Sequence, residues 1–475
     1  MRIQGYTGCS LLIAGALSLA LGACNSAQSR ARAAYADYEV AMAANDLLAG
    51  RRALQKLVAA QDDVAENWVE LGRLEAKAGS YGDAYYAFTR AYELDRSNPE
   101  ILRIITQIAL RGGNLPAAQR HARELDIVAP GDPWVKIVAG YGALSEQRFD
   151  DVLAASDAVL TNAQNDPYAT VLRARGHLGK GRNAEALKLL QDHVRMQPLD
   201  SGSWQLLARI YTKAKDWRNV TIAAGYLLRM NPSDRDTGLL LIEAALRSGQ
   251  PAVAKRQSAR FLQPAADPAL VSAVLDRWAD YWPSEQRAVE AMRLARSANP
   301  AQKIVYAAFL NRVDRPHDAL ALTKPYAGVP VRAGNVEANA VWADALLRQG
   351  KVSDAKSRLD AVIAFDSGNA TALRSRAELY LRIRQARLAI SDAQKLVTVA
   401  PTSSRDRLLL SRCFAASGDS KQADRALWDG FHDIQANERL FQAILKSNAA
   451  RPEVVEQVKQ EYALQVDSAL NRGLL

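Results

Sequence analysis

The amino-acid sequence predicts an all-α protein in which pairs of helices stack into a long solenoid. Aromatic residues make up only 7% of the chain, and alanine and leucine are abundant, which suits helices better than strands. Apolar residues recur at helical spacing, and glycine or proline interrupts them at regular intervals. The whole pattern returns about every 34 residues, and a period of that size is typical of stacked helix pairs.

The stretch 65–98 carries the pattern most completely and reads AENWVELGRLEAKAGSYGDAYYAFTRAYELDRSN. When its first residue is counted as position 1, Gly72 is at position 8 and Ala84 at position 20. Small residues at these two positions allow the helices of a pair to touch, and large apolar residues fill the space around them. Gly79, at position 15, marks the turn between the two helices.

The same register continues along the chain. Repeats are predicted to begin at Ala31, Ala65, Pro99, Pro133, Pro167, Ser201, Arg235, Ala269, Pro300, Val336, Ala370 and Ser404. The register fails once, because the repeat at Pro300 begins about three residues early. In the repeat before it, Trp282-Pro283-Ser284 replaces the usual glycine turn. The following stretch 324–334 (KPYAGVPVRAG) is rich in proline and glycine, and it is either a hinge or a longer loop between repeats.

These residues resemble the tetratricopeptide repeat, with its period of about 34 residues and its W…LG…A…F…P signature. The resemblance implies a right-handed α-solenoid of about eleven or twelve helix-turn-helix repeats with C-terminal capping helices. It also implies protein docking rather than catalysis. The predicted segments are a signal peptide (1–23), a lipidated tether (24–30), a first array (31–323), an irregular hinge loop (324–335), a second array (336–438) and capping helices (439–475).

The N-terminus carries a predicted lipid anchor. An apolar run over 11–21 has the length of a secretory signal, and it ends in Leu21-Gly22-Ala23-Cys24. This ending resembles a bacterial lipobox, which implies cleavage before Cys24 and lipidation of its sulfur; the alternative is an ordinary signal peptide that contains a cysteine. Asn25 is not the aspartate that retains lipoproteins at the inner membrane in enteric bacteria, which favours the periplasmic face of the outer membrane.

Several classes of function find no support in the sequence. The net charge of +10 is spread over 475 residues without a long basic run, which favours a solvated surface over nucleic-acid binding. We find no phosphate-binding loop, zinc-protease motif or nucleophile elbow, and the five histidines have no metal-ligand spacing. We therefore predict no enzyme activity, no cofactor and no metal. Cys413 is expected to be an inert buried thiol.

The docking surface is predicted on the first helix of each repeat. Positions 2, 5, 9 and 12 are expected to face a concave groove, because positions 4, 7, 8 and 11 are used in packing. In the early repeats these positions combine arginines with aromatic residues, which suits an extended, acidic peptide segment. A second interpretation places Trp134 and Tyr168 in the contact between neighbouring repeats. The predicted groove residues are Arg73, Arg103, Gln107, Trp134, Ile137, Tyr141, Tyr168, Arg175, Gln205 and Arg209. In the later repeats the lining includes Glu243, Asp344 and Glu378 beside Arg277, Arg374 and Arg412, a mixture without a clear preference.

Two functions are compatible with this sequence. The first is a lipid-anchored scaffold that docks envelope proteins during assembly of a secretion or pilus machine, since the chain resembles the tetratricopeptide lipoproteins of type IV and Flp pili. The second is an accessory scaffold for polysaccharide export or cell-wall remodelling. In both, the partners are envelope proteins, and the membrane is contacted through the lipid on Cys24.

Overall fold

The computed structural model describes the backbone of residues 10–471 and the side chains of residues 27–466. This part of the chain contains 26 helices and no strand, which confirms the predicted all-α repeat fold. The contacts divide it into an N-terminal unit that ends at Gln197 and a C-terminal unit that begins at Pro198.

The N-terminal unit contains five helix pairs between residues 10 and 197. Its helices are α1 (Ser10–Ala43), α2 (Leu47–Ala60), α3 (Ala65–Lys77), α4 (Tyr81–Leu94), α5 (Pro99–Arg111), α6 (Leu115–Val128), α7 (Pro133–Ser145), α8 (Phe149–Leu160), α9 (Pro167–Gly179) and α10 (Asn183–Met196).

The C-terminal unit contains the remaining helices up to residue 471. They are α11 (Ser201–Lys213), α12 (Trp217–Met230), α13 (Arg235–Arg247), α14 (Pro251–Phe261), α15 (Pro268–Tyr281), α16 (Gln286–Ala295), α17 (Pro300–Arg312), α18 (Pro316–Thr323), α19 (Val336–Arg348), α20 (Val352–Phe365), α21 (Ala370–Arg382), α22 (Ala386–Val399), α23 (Ser404–Ala416), α24 (Ser420–Asp433), α25 (Glu438–Ser447) and α26 (Pro452–Asn471).

The first helices begin where the sequence predicts. From α3 to α23 every odd-numbered helix starts at its predicted repeat start, except α15, which starts one residue early at Pro268. An acidic or amide side chain caps most of these starts and accepts hydrogen bonds from the free N–H groups of the first turn. Five such caps lie 34 residues apart: Asn98, Asp132, Asp166, Asp200 and Asp234.

Within a repeat, the two helices touch at the small residues. Ala84 is fully buried, and a Cβ atom added to Gly72 would lie 2.7 Å from the ring of Phe88. A larger side chain at position 8 would therefore displace that ring. The buried residues form a row of successive clusters along each unit, so each repeat is stabilised mainly by its neighbours.

The turn between the two helices of a repeat has a fixed backbone conformation. Its residue at position 15 has a positive φ in eleven repeats: Asn45, Gly79, Gly113, Gln147, Gly181, Lys215, Gly249, Asp314, Gly350, Arg384 and Gly418. This left-handed conformation ends the first helix and frees the chain to turn. The five non-glycine residues adopt it because the packing of the repeat requires the turn.

Proline cannot adopt this conformation, because its ring fixes φ near −65°. Pro283 occupies position 15 of the repeat that begins at α15, and the turn there is irregular. α15 still ends at Tyr281, which is position 13 as in the other first helices, but the next helix, α16, starts one residue later than usual, at Gln286, and has only 10 residues. The sequence irregularity at Trp282-Pro283-Ser284 therefore corresponds to an altered helix pair.

Gly350→Ala should destabilise the C-terminal unit by about 1–2 kcal/mol, because a Cβ atom is disfavoured in the left-handed region. Gly350 has a φ of 81°, and no atom lies near enough to clash with the added methyl group. Gly334→Ala is the control, since Gly334 does not have a positive φ and its surroundings are equally open. Urea unfolding followed by circular dichroism would compare the two, and equal stabilities would contradict the account of the turn.

Four predicted segments lie outside the regular repeats. The signal peptide and the lipidation of Cys24 remain predictions, because residues 1–9 and the side chains before residue 27 lie outside the described part. α1 continues through the predicted tether (24–30), where the sequence has neither proline nor glycine. The predicted hinge (324–335) is an irregular connection between α18 and α19 inside the C-terminal unit. The predicted cap (439–475) contains most of α25 and all of α26, and its last four residues lie outside the described part.

Candidate protein-docking surface

Three of the predicted groove residues are buried in the core of the N-terminal unit. Trp134, Ile137 and Tyr141 expose only 7%, 0% and 6% of their surface. The prediction that their side chains face an open groove is therefore wrong. The second interpretation is confirmed for Trp134, whose ring packs edge-on against Tyr168 of the next repeat at a centroid distance of 4.5 Å.

The reason is the close approach of successive first helices. α7 contacts both α5 and α9, so side chains on the flanks of α7 are covered by its neighbours. Glycine makes this approach possible, because a Cβ atom added to Gly140 would lie 2.4 Å from Cδ2 of Leu172 on α9. Side chains at positions 2, 5 and 9 would face solvent only if these helices lay further apart.

Arg103 has a structural role. Its Nε and Nη2 donate to Oδ2 of Asp132 at 2.9 and 2.6 Å, and Oδ1 of the same carboxylate accepts from the N–H of Trp134. The Asp132 side chain is 2% exposed, and it caps α7. Arg103 therefore holds the cap of the next first helix, which links α5 to α7.

The other predicted groove residues lie at the surface or are half-buried. Arg73 is exposed and pairs with Glu70 of its own helix, whereas Arg175 lies over the ring of Tyr141 at 5.3 Å. Gln107 and Tyr168 are half-buried in the N-terminal unit. Gln205 is exposed and Arg209 half-buried on α11, which belongs to the C-terminal unit. No observation tests whether these residues bind a partner, so that part stays a prediction.

The C-terminal unit contains a cavity that the sequence did not single out. We call it the arginine cavity; its volume is about 660 Å³, and its lining is Asp280, Arg312, Arg348, Glu378, Leu381, Arg382, Arg405, Arg412 and Arg439. All of these residues lie on the first helices α15, α17, α19, α21 and α23, except Arg439, which lies on α25. Helices of this kind therefore supply the lining of the arginine cavity.

Two further cavities share residues with it. One, of about 490 Å³, has Asp280, Arg312, Arg405 and Arg439 in common with the arginine cavity. The other, of about 710 Å³, shares Glu378, Arg405 and Arg412. The three cavities therefore form one connected inner surface, and Arg405 lines all three.

Helix α25 contributes Arg439 to this inner surface. The carboxylate of Glu438 accepts from Nζ of Lys215 at 2.6 Å and from Nη2 of Arg247 at 2.8 Å, residues that precede it by 223 and 191 positions. Its neighbour Arg439 pairs with Asp280 of α15. The beginning of α25 is thus tied to the first half of the unit by ion pairs.

Two aromatic rings hold the Arg247 guanidinium in an orientation that suits a carboxylate partner. Its guanidinium lies between the rings of Trp217 and Tyr281, at 4.1 and 4.5 Å from their centroids. Stacking on two aromatic faces fixes the plane of the guanidinium and leaves its edge free to donate. Nη2, on this edge of the guanidinium, donates to the carboxylate of Glu438.

Glu438→Gln should loosen α25, because it removes the charge that Lys215 and Arg247 share. We expect a loss of about 0–1 kcal/mol for each of these partly exposed pairs. Burial acts to raise the pKa of Glu438, but the hydrogen bonds from the two cations outweigh it and hold the pKa below 4.5. Because the folded pKa is the lower one, the ion pairs stabilise α25 above pH 4.5, and this contribution is lost as the pH falls through the folded pKa.

Hydrogen-exchange protection factors for α25, corrected for the intrinsic rate at each pH, would measure this effect. Glu453→Gln on the exposed start of α26 is the matched control, and it should leave α25 unchanged. Equal protection of α25 in the wild type and in Glu438→Gln at pH 7 would show that the ion pairs do not hold the helix.

Cys413 is buried on α23, and burial raises the pKa of its thiol to about 11. The thiolate is the reactive form, so this thiol is inert in the folded protein, as predicted. Among the described residues, no group of histidines, cysteines and carboxylates could hold a metal ion. No helix in the described part is both long enough and apolar enough to span a membrane.

A signal for the arginine cavity was present in the sequence. Arg312, Arg348 and Arg382 all occupy position 13, in the last turn of a first helix. A basic residue there is common, because it interacts favourably with the negative end of the helix dipole. The helix dipole therefore accounts for each arginine separately. It does not indicate that the three arginines line the same cavity.

Comparison with known proteins supports the repeat assignment. A family model described as the tetratricopeptide repeat matches residues 39–99 and 341–405. The chain is 31% identical over 127 residues to ER membrane protein complex subunit 2 of Xenopus tropicalis, covering 26% of this chain and 42% of that protein. It is also 31% identical over 138 residues to cytochrome c-type biogenesis protein CycH of Pseudomonas aeruginosa, covering 28% and 34%. The matches thus span less than half the length of these curated relatives.

Two solved structures of bacterial proteins are similar in part. MamA is 17% identical, with a TM-score of 0.30, over 35% of this chain and 92% of its own. PilW, a type IV pilus biogenesis factor, is 16% identical, with a TM-score of 0.32, over 42% and 91%. Neither similarity assigns an activity to this chain. The repeat model and the helix pairs together identify the chain as an all-α repeat protein that carries tetratricopeptide repeats.

Proposed function

We propose that this protein is a docking scaffold of the bacterial envelope, held at the periplasmic face of the outer membrane by lipid on Cys24. Its task is to bring proteins together during assembly of a secretion or pilus machine. The observation that supports docking most directly is the connected inner surface of the C-terminal unit, which is lined by charged side chains on successive first helices. Repeats of this kind generally mediate contacts between proteins.

The chemistry of this surface favours binding over catalysis. Its functional groups are mostly guanidinium and carboxylate groups, several of which are already engaged in ion pairs, such as Arg348 with Asp344 at 3.1 Å. Guanidinium groups are permanently charged donors with a fixed geometry, so they recognise anionic groups without exchanging protons. We therefore propose a role without enzyme activity and without a cofactor.

The proposed location rests on the N-terminal sequence. Leu21-Gly22-Ala23-Cys24 resembles a lipobox, and Asn25 lacks the acidic retention signal. Several acyl chains on one cysteine would anchor the protein stably, since two hydrophobic signals suffice. The proposed machine rests on the resemblance to pilus-assembly lipoproteins.

Cys24→Ser should abolish metabolic labelling with palmitate and leave an uncleaved or soluble periplasmic protein. The physical reason is that a serine hydroxyl cannot form the thioether that carries the diacylglyceryl group. Cys413→Ser is the control and should keep the label, because the Cys413 thiol is buried. Labelling that persists in Cys24→Ser would refute the anchor.

The role in assembly requires a separate experiment. Deletion of the gene in its own host should reduce the multimers of an envelope secretin or the number of surface pili, and the wild-type gene should restore them. Unchanged secretin and pili together with a defect in exported polysaccharide would overturn the assembly role in favour of polysaccharide export.

A further inference from the structure

The arginine cavity holds more positive than negative charge. Its lining contributes six arginines and two carboxylates, Asp280 and Glu378. Asp280 already pairs with both Arg312 and Arg439, and Asp276 supplies a second partner to Arg312. Arg348 pairs with Asp344 at 3.1 Å. Glu378 also lies 3.8 Å from Arg348, so the carboxylates of this region interact mainly with these three arginines.

The other three arginines have little compensation by carboxylates. Arg382 donates from Nη1 to the carbonyl oxygen of Leu347 at 2.7 Å, and Arg405 reaches Glu378 only at 4.0 Å. Arg412 is exposed and forms no ion pair with any residue of the described part. Burial and the nearby charge of Arg374 lower the pKa of Arg405, although its guanidinium stays protonated. A cavity with this surplus attracts anions.

An apolar cavity adjoins these arginines. Its walls include Leu408, Leu409, Ala415, Leu427 and Ala443, and it shares Arg405 and Arg412 with the arginine cavity. A ligand that fills both must carry an anionic group and an apolar group a few ångströms apart. Inorganic phosphate lacks the apolar group, whereas a short peptide segment with acidic and aliphatic side chains has both.

We propose that the arginine cavity and the adjoining apolar cavity bind an acidic peptide segment of a partner protein, with carboxylates on Arg382, Arg405 and Arg412 and an aliphatic side chain against Leu408 and Leu427. The guanidinium fork matches a carboxylate in two parallel hydrogen bonds, which fixes its orientation. The aliphatic group contributes affinity through the apolar area that it buries. This inference rests on the proposed docking function and specifies the chemistry of the partner.

The test uses the full chain and a fluorescein-labelled octapeptide in which a leucine stands between two glutamates, with binding followed by fluorescence anisotropy. Arg412→Glu should weaken binding about tenfold or more, because it replaces a carboxylate partner with a repelling charge. Arg425→Glu is the matched control: Arg425 is exposed on α24 outside the lining, and it lies 3.9 Å from Asp429 of the same helix. It should change the affinity by less than about twofold.

Changes in the peptide provide the second part of the binding experiment. Replacing both glutamates with glutamine, or the leucine with serine, should each weaken binding, and added salt should weaken only the contribution of the charges. Equal affinities for Arg412→Glu and Arg425→Glu would overturn the proposal. So would competition by inorganic phosphate combined with indifference to the leucine, since the site would then bind anions alone.

The result of the peptide-binding test can be distinguished from the result of the test of the proposed function. Arg382→Gln removes a second lining charge without reversing it, and it should also weaken the peptide. If the peptide fails to bind while deletion of the gene still disrupts assembly, the docking function stands and this site is wrong. If the peptide binds and deletion has no effect, the site stands and the assembly role is wrong.

Discussion

Asp406→Ala should destabilise the region around α23 by about 3–5 kcal/mol, which is the expected cost of leaving a buried charge without its partner. The side chain of Asp406 is 0% exposed, and its two oxygens accept from Nε and Nη2 of Arg374 at 2.6 and 2.9 Å. This pair joins α21 to α23, as Arg103 and Asp132 join α5 to α7. Loss of the carboxylate leaves the largely covered Arg374 guanidinium unpaired.

Cys413 provides a local measurement, because it is buried on the same helix as Asp406. In a variant in which serine replaces Cys9 and Cys24, a thiol reagent would label Cys413 only when α23 opens. A loss of 3–5 kcal/mol corresponds to labelling that is faster by about a hundredfold or more. The double variant Arg374→Met/Asp406→Leu should recover most of the loss, since it removes both charges together. Wild-type labelling rates in Asp406→Ala would refute the structural role of the pair.

Trp278→Ala should cost about 3–5 kcal/mol, as expected for deletion of a large, fully buried aromatic side chain. The indole of Trp278 packs edge-on against Trp282 and Phe309, with centroid distances of 5.0 and 6.5 Å. Its Nε1 donates to the buried Oγ of Ser258 at 3.0 Å. It therefore ties α14 and α17 to α15, the helix that precedes the irregular turn at Pro283.

Hydrogen exchange resolved by peptide mass spectrometry would locate this loss in α14, α15 and α17. Trp342→Ala is a suitable control, because Trp342 is a half-buried tryptophan on α19 and should cost less. Equal losses of protection in the two variants would mean that the irregular repeat does not depend on Trp278.

The sequence predicts the helix pairs accurately because local chemistry determines them. Caps such as Asp166 and Asp200, the proline starts and the glycine turns act within a few residues, so they can be read in order along the chain. The packing of the repeat, and not a local signal, makes position 15 left-handed at Lys215 and Arg384, where the sequence has no glycine.

The docking surface is harder to predict because it depends on distances between repeats. Position counting cannot show that Gly140 brings α9 close to α7, and that approach buries Trp134, Ile137 and Tyr141. Likewise, Glu438 and Arg247 are 191 residues apart, and no periodic pattern predicts that they meet. The charged inner surface of the C-terminal unit follows from such contacts.

Site-specific photo-crosslinking in the native envelope tests the central claim, that partners dock on the inner surface formed by the first helices. A photoreactive amino acid would replace Thr371 on α21, which lines the inner surface, or Lys395 on α22, which is exposed on a second helix. We predict crosslinks to one or a few defined envelope proteins from position 371 and few from position 395. Crosslinks concentrated at position 395, with none at position 371, would contradict the account.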